Sequence, residues 1–210
     1  MNVVFWFKKI LFLINKLIRV AKACMAQLCK KHDITLIDPL EMSLPKPFKP
    51  HFSYAEKKAP VELENLARSI EDADGYVMIS PEYNHSMSPA LSDLLNHFGS
   101  SLFSYKPSAI VTYSAGQWGG VRAAVNMRTF LSELGCLPVS AMVHLPKAHE
   151  TLQEDGTFTN EKDIQRWNEY FGRTFTQLEW WGTAARHQRS LVDELQPEAF
   201  KKSPEQRNAP

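Results

Sequence analysis

The chain has 210 residues, 44% of them apolar, and 24 Lys and Arg against 23 Asp and Glu give a formal net charge of +1. That is enough apolar content for one full core, and the charge balance offers no general attraction to nucleic acid or other acidic polymers. The cysteines, Cys24, Cys29 and Cys136, are odd in number and lack zinc-ligand spacing, which argues against a disulfide framework and fits a reduced, cytoplasmic setting.

Val3–Val20 is mostly apolar, but Lys8, Lys9, Asn15, Lys16 and Arg19 interrupt it. No uninterrupted run approaches the ~20 residues that span a bilayer, and Ile10–Ile14 is too short for a signal-peptide core. Val3–Phe7 therefore reads as the first core strand, with no membrane partner expected; a basic amphipathic surface helix with Lys16, Arg19 and Lys22 on its polar side is the alternative. A helix follows within Leu11–Lys31, where Leu13, Leu17, Val20, Ala21, Cys24 and Leu28 recur at three-to-four spacing.

Ile34–Ile37 is the second strand, stopped by Asp38-Pro39. Glu41–Ala59 carries Pro45, Pro47, Pro50 and several lysines and reads as an irregular surface loop. Pro60 opens a helix to about Ala73, with Glu62 and Glu64 favourable in its first turn. Tyr76–Ile79, bounded by Gly75 and Pro81, is a buried strand. Pro81 cannot donate to a ladder, so pairing stops there and the chain turns through Pro81-Glu82-Tyr83-Asn84. Ser88 caps and Pro89 opens the next helix, to about Phe98.

Ala109–Tyr113 is the fourth strand. It runs into Ser114-Ala115-Gly116-Gln117-Trp118-Gly119-Gly120 and then a helix, Val121–Leu134, stopped by Gly135. Val139–Val143 is the fifth strand, Lys147–Asn160 a loop, and Glu161–Ala184 the last helix. Residues 1–190 read as one domain and 191–210 as a polar tail, disordered over Gln196–Pro210. Strands alternating with helices predict an α/β three-layer sandwich around a five-stranded parallel sheet. Two strands that each end in a tight loop before a helix place a ligand site at the carboxyl edge of that sheet.

Those two loops carry a resemblance. PEYN (Pro81, Glu82, Tyr83, Asn84) and SAGxxGG (Ser114, Ala115, Gly116, Gln117, Gly119, Gly120), with flanking matches at Thr35–Leu40, Leu131–Ser140 and Lys147–Phe158, resemble the flavin-ring motifs of the NADPH-dependent FMN reductase family. The likeness runs from roughly Arg19 to Arg189. It implies a flavodoxin-like fold with strand order 2-1-3-4-5, and FMN with NADPH or NADH as the electron donor. It further implies two-electron transfer to FMN, a quinone or a similar small-molecule acceptor, in a homodimer or homotetramer. The ten motif residues would hold the isoalloxazine ring, with Gly116, Gly119 and Gly120 permitting close backbone approach. No catalytic side chain is required, because the flavin carries the hydride chemistry.

One segment departs from the pattern. The family holds the FMN phosphate on a Gly-Ser-x-Arg loop after the first strand, and the equivalent stretch, Lys9–Ile18, contains no glycine, serine or arginine. Without close backbone approach and free N–H groups a phosphate is poorly cradled, so weakened or lost FMN binding is expected. The alternative function is a non-catalytic paralogue that keeps the fold and oligomer surface but has lost tight FMN binding. Arg122 reads as a solvated first-turn arginine or as a partner for a dinucleotide phosphate. Trp167, Phe171, Trp180 and Trp181 read as core packing, and the resemblance implies that they also take a share in an interface. His85, His97, His144 and His149 lack metal spacing, and no G-x-S-x-G, Walker or GxGxxG motif occurs.

Overall fold

The computed structural model describes residues 9–13 and 18–191. The strands β1 (Lys9–Leu13), β2 (Asp33–Ile37), β3 (Gly75–Pro81), β4 (Pro107–Tyr113), β5 (Leu137–Pro138) and β6 (Val143–Leu145) form one parallel sheet in the order β2-β1-β3-β4-β5, with β6 also paired to β4. The fold is therefore flavodoxin-like, in the strand order the resemblance implied.

Side-chain alternation along the strands divides the core in two. Ile10, Phe12, Val77, Ile79, Ala109 and Val111 face helices α1 (Ile18–Leu28) and α7 (Ile164–Leu191), against Val20, Cys24, Leu28, Phe171, Phe175 and Leu178. Leu11, Tyr76, Met78 and Ile110 point the other way, onto α2 (Val61–Asp72), α3 (Pro89–Asn96) and α5 (Val121–Glu133). Period-two strands buried on both faces need helices on both faces. Two one-turn helices, α4 (Ser100–Phe103) and α6 (Ala148–Thr151), complete the chain.

Local signals set the helix starts. The Ser88 hydroxyl accepts from the Leu91 N–H at 3.3 Å and Pro89 takes the first helical position of α3. Gly135, at φ +91°, ends the turn after α5. The loop between β2 and α2 is irregular apart from single 3-10 turns at Pro39–Glu41 and His51–Ser53.

Several boundaries differ from expectation. The place of the first strand is taken by Lys9–Leu13; Val3–Phe7 lies outside the described residues. Lys9–Ile18 is accordingly not one loop. Its first five residues are β1, Ile18 opens α1, and only 14–17, outside the described residues, connect them. Leu13 thus belongs to the strand rather than to the helical stripe. The expected fifth strand, Val139–Val143, is replaced by two short pieces on either side, because the edge leaves β4 after Pro138 and rejoins it at Val143. The last helix starts at Ile164 after a 3-10 turn, Glu161–Asp163, and continues to Leu191. The segment Gln196–Pro210 lies outside the described residues.

The extra length of α7 is explained at the amino edge of the sheet. Arg186 and Arg189 grip the Asp74 carboxylate at 2.6 and 3.1 Å, just before β3. Beside them the buried Lys106 ammonium donates to the carbonyls of Ile70, Glu71 and Leu102, which end α2 and lie within α4. A cation at two helix ends satisfies carbonyls that have no partner within their helix.

Candidate functional site

β3, β4 and β6 end level with one another: Pro81 pairs with Tyr113, and Tyr113 with Leu145. The loops that follow them, 82–87, 114–120 and 146–147, therefore meet at one edge, the carboxyl edge. The sheet thus brings Pro81, Glu82, Tyr83 and Asn84 to the same rim as Ser114, Ala115, Gly116, Gln117, Gly119 and Gly120.

The first loop is a tight turn rather than a loose excursion. Tyr83 and Ser86 exchange both backbone hydrogen bonds, at 2.9 and 2.8 Å, around Asn84 and His85. These two central residues have φ of +48° and +63°, the sign pattern of a type I′ turn, and asparagine tolerates that left-handed region better than most residues. Asn84 thus shapes the loop through its backbone, leaving its side chain exposed. The Glu82 N–H donates to the Tyr113 carbonyl at 3.2 Å, and the Asn126 side-chain amide of α5 donates to the His85 carbonyl at 2.6 Å. Beneath the turn, buried Ser80 accepts from the Ser88 N–H at 2.8 Å.

The second loop is braced across its middle. The Ser114 hydroxyl donates to the Gly116 carbonyl at 2.8 Å and accepts from the Gly119 N–H at 3.0 Å. The Lys147 N–H donates to the Gly116 carbonyl and the Ala148 N–H to the Ser114 carbonyl, both at 3.0 Å. These bonds leave the amides of Ala115, Gly116 and Gln117 pointing to no partner among the described residues, on an exposed tip. A row of unpaired backbone donors on a braced loop suits the carbonyl edge of a heteroaromatic ligand.

The three glycines do not share one role. Gly119 and Gly120 are buried at φ +62° and +79°, and a Cβ on either would lie 2.9 Å from other atoms: the His144 and Leu145 backbone in one case, the Thr112 side chain in the other. Their close approach is to the protein's own strands. Gly116 has nothing within 4 Å of the Cβ position. Of the three glycines, only Gly116 has an open side.

Charges are sparse at the rim. Glu82 Oε1 stands 3.9 Å from both Arg122 Nη1 and His85 Nε2, so Arg122 is half-exposed and only loosely paired. Thr112 Oγ1 lies 2.9 Å from His144 Nδ1 below Gly120. Burial, helped by the Arg173 charge, holds His144 below its ordinary value, favouring its neutral form. The bracing partners Asn126 and Lys147 escaped sequence reasoning, because they reach the loops from elements distant in the chain. Trp167 and Phe171 pack with Phe158, as core aromatics should. Trp180 and Trp181 are exposed instead, and they sit toward the Asp74 end of α7, away from the rim.

A family model described as NADPH-dependent FMN reductase matches residues 15–150. An NADPH azoreductase of Bacillus sp. (strain OY1-2) is 31% identical over 101 residues, 48% of this chain and 57% of the azoreductase. A quinone reductase of Escherichia coli (strain K12) is 37% identical over 79 residues, 36% of this chain and 42% of its own length. The chain thus spans about half the length of the curated relatives it matches. Among solved structures, the flavoenzyme NAD(P)H:(acceptor) oxidoreductase FerB from Paracoccus denitrificans superposes with a TM-score of 0.67 at 20% identity, over 82% of this chain and 98% of that one; the likeness is one of fold.

Proposed function

This chain belongs to the NADPH-dependent FMN reductase family, and from that membership we propose that it is an NAD(P)H-dependent oxidoreductase passing two electrons through FMN to a quinone or similar small-molecule acceptor. The observation that carries the reading is the meeting of both ring motifs at one carboxyl edge, with the amides of 115–117 unpaired and Gly116 open. The residues of that rim fit the isoalloxazine ring of FMN. Pro81, Glu82, Tyr83 and Asn84 would border the ring on one side, and Ser114, Ala115, Gly116 and Gln117 its pyrimidine end, with Gly119 and Gly120 fixing the loop. When bound, FMN supplies the two-electron relay, so that NAD(P)H, a proton and a quinone give NAD(P)⁺ and a hydroquinone. This chain's own part is to bind, orient and leave one face accessible. The names of the relatives, quinone reductase and NADPH azoreductase, lend the non-catalytic alternative no support.

The test is steady-state oxidation of NADPH and NADH by FMN-supplemented protein with menadione as acceptor. Turnover that depends on added or bound flavin supports the reading; a flavin-loaded protein that leaves both nucleotides unoxidised refutes it.

The phosphate end has its own expectation. Residues 14–17 are Ile14, Asn15, Lys16 and Leu17, still without glycine, serine or arginine, and a lysine lacks the planar fork with which arginine grips phosphate. FMN and riboflavin should therefore bind within about tenfold of each other, a difference of ~1.4 kcal/mol or less. Fluorescence titration of both ligands checks this, and FMN binding a hundredfold tighter would contradict it.

A homodimer or homotetramer is part of the proposal. Val121 and Val125 are exposed one turn apart on the outer face of α5, beside the rim, where a second copy would cover them. Sedimentation at micromolar concentration that finds only monomer removes this part. No helix among the described residues is long and apolar enough to cross a membrane, and a cytoplasmic location is proposed; recovery in a salt-washed membrane pellet would contradict it.

A further inference from the structure

The loop 114–120 carries one residue that neither the flavin-ring motifs nor the core accounts for. Trp118 is 62% exposed, and its indole makes no hydrogen bond or ring contact among the described residues. The positions around it are the most constrained at the rim. Gly119 and Gly120 are locked against β4 and the end of β6, Ser114 bridges the loop, and the Trp118 carbonyl accepts from the Val121 N–H at the start of α5. A large ring on a rigid stem stays exposed, because the loop cannot fold it inward. On the other loop Tyr83 is 54% exposed on its own braced turn, likewise without a ring partner.

Aromatic side chains hide 150–250 Å² when covered, and face-offset aromatic pairs add about 0.5–1.5 kcal/mol beyond that burial. Indole is the most electron-rich of the protein rings, and quinones are planar and electron-poor. We propose that the Trp118 indole is the acceptor platform of this site, a specificity-determining surface on which planar aromatic acceptors stack. This rests on the reductase reading for its physiological meaning, but the binding event it asserts does not need turnover. An inorganic acceptor such as ferricyanide presents no planar face and gains nothing from the platform.

The experiment measures menadione binding to FMN-supplemented protein by equilibrium dialysis, without pyridine nucleotide, in wild type, Trp118→Ala, Trp118→Phe and Trp181→Ala. Wild type should bind, and Trp118→Ala should weaken binding about tenfold, equivalent to ~1.4 kcal/mol. Trp118→Phe should recover most of the loss, and Trp181→Ala should match wild type. In turnover, Trp118→Ala should raise KM for menadione by a similar factor with kcat little changed, while ferricyanide reduction keeps its wild-type parameters. Unchanged menadione binding in Trp118→Ala overturns the proposal, as does an equal loss in Trp181→Ala. If Trp118→Ala shifts sedimentation toward monomer with menadione binding intact, Trp118 belongs to a subunit interface and the proposal is likewise wrong. A protein that binds menadione through Trp118 yet oxidises no NAD(P)H would sink the reductase reading and leave the platform standing.

Discussion

Gly119→Ala should lower the stability of the protein by about 3 kcal/mol and strip it of flavin affinity. An alanine at φ +62° is strained wherever it sits, and here its Cβ would also meet the His144 and Leu145 backbone at 2.9 Å. A strained positive φ contributes roughly 1–2 kcal/mol and an overpacked contact against backbone a similar amount or more. For a chain of this length the loss corresponds to a melting temperature lower by about 6–12 °C. Relief comes only by lifting the loop off β6, which breaks the Ser114–Gly119 bond and moves the amides of 115–117 together. Gly116→Ala is the contrasting variant. Its Cβ enters open space, so stability should stay within about 0.5 kcal/mol of wild type while flavin affinity falls, because the methyl group occupies the ligand's side. Calorimetry and flavin titration on the two variants separate a glycine required by the fold from one required by the ligand. Equal melting temperatures for Gly119→Ala and wild type, or unaltered flavin affinity in Gly116→Ala, would contradict this division of roles.

The second large effect is in the alkaline limb of stability. Burial, reinforced by the Arg189 charge, pulls Lys106 down from 10.5 to about 8. Between those values the unfolded chain keeps a proton that the folded chain has lost, so this group makes stability rise with pH. The buried thiols act in the opposite sense. Burial pushes Cys136 up from 9.0 to about 12 and raises Cys24 as well. Above 9.0 the unfolded thiols ionise while the folded ones do not, and stability falls; Tyr76, raised by burial, adds to the fall above 10.0. At about 1.4 kcal/mol per pH unit for each group, Lys106 gives a small rise of about 0.5 kcal/mol by pH 9, the thiols cancel it by about pH 9.5, and the net loss reaches about 2 kcal/mol by pH 10.5. Lys106→Met removes the rising component. In that variant the decline begins near pH 9, where the unfolded thiols ionise, and by pH 10.5 it is larger than the wild-type decline by about 3 kcal/mol. Urea unfolding across the pH series measures it, and parallel profiles for the two proteins would exclude Lys106 as the compensating group.

What the amino-acid sequence disclosed, it disclosed through local chemistry. Tyr76–Ile79 and Ala109–Tyr113 are short apolar runs closed by Pro81 and by the glycine loop. Both became central strands, because nothing else is compatible with so short a run of large and β-branched side chains. Ser88-Pro89 and Gly135 marked helix ends by mechanisms that act within a few residues. Near the amino terminus those local cues are missing. Two apolar runs, Val3–Phe7 and Ile10–Ile14, compete there, and periodicity cannot separate them. Register decides, since Lys9–Leu13 pairs with β2 along its whole length and Ile10–Leu13 pairs with β3. The fifth strand failed for a related reason. At an edge, pairing is intermittent, and Val139–Val143 looks continuous in sequence although the chain leaves β4 in its middle. The overlong α7 rests on Asp74, more than a hundred positions away in the chain.

The rim was legible as a set of residues but not as a set of roles. PEYN and SAGxxGG located it, and the structure brings those residues together. Which of the glycines has an open side, and that Asn84 acts through a left-handed turn, depend on what lies opposite each Cβ and on the sign of φ. Neither is written in a motif. Trp118 occupies one of the motif's variable positions, and only its exposure on a braced loop singles it out.

The proposed activity requires a flavin held at this rim and reduced by a nicotinamide nucleotide. The most direct measurement is anaerobic titration of the FMN-loaded protein with NADPH and, separately, NADH, following the visible flavin band. The expected result is bleaching by at least one nucleotide, complete at one nicotinamide oxidised per bound flavin, and return of the band when menadione is added. A protein that takes up no FMN at saturating concentration, or whose flavin band survives excess of both nucleotides, would contradict it.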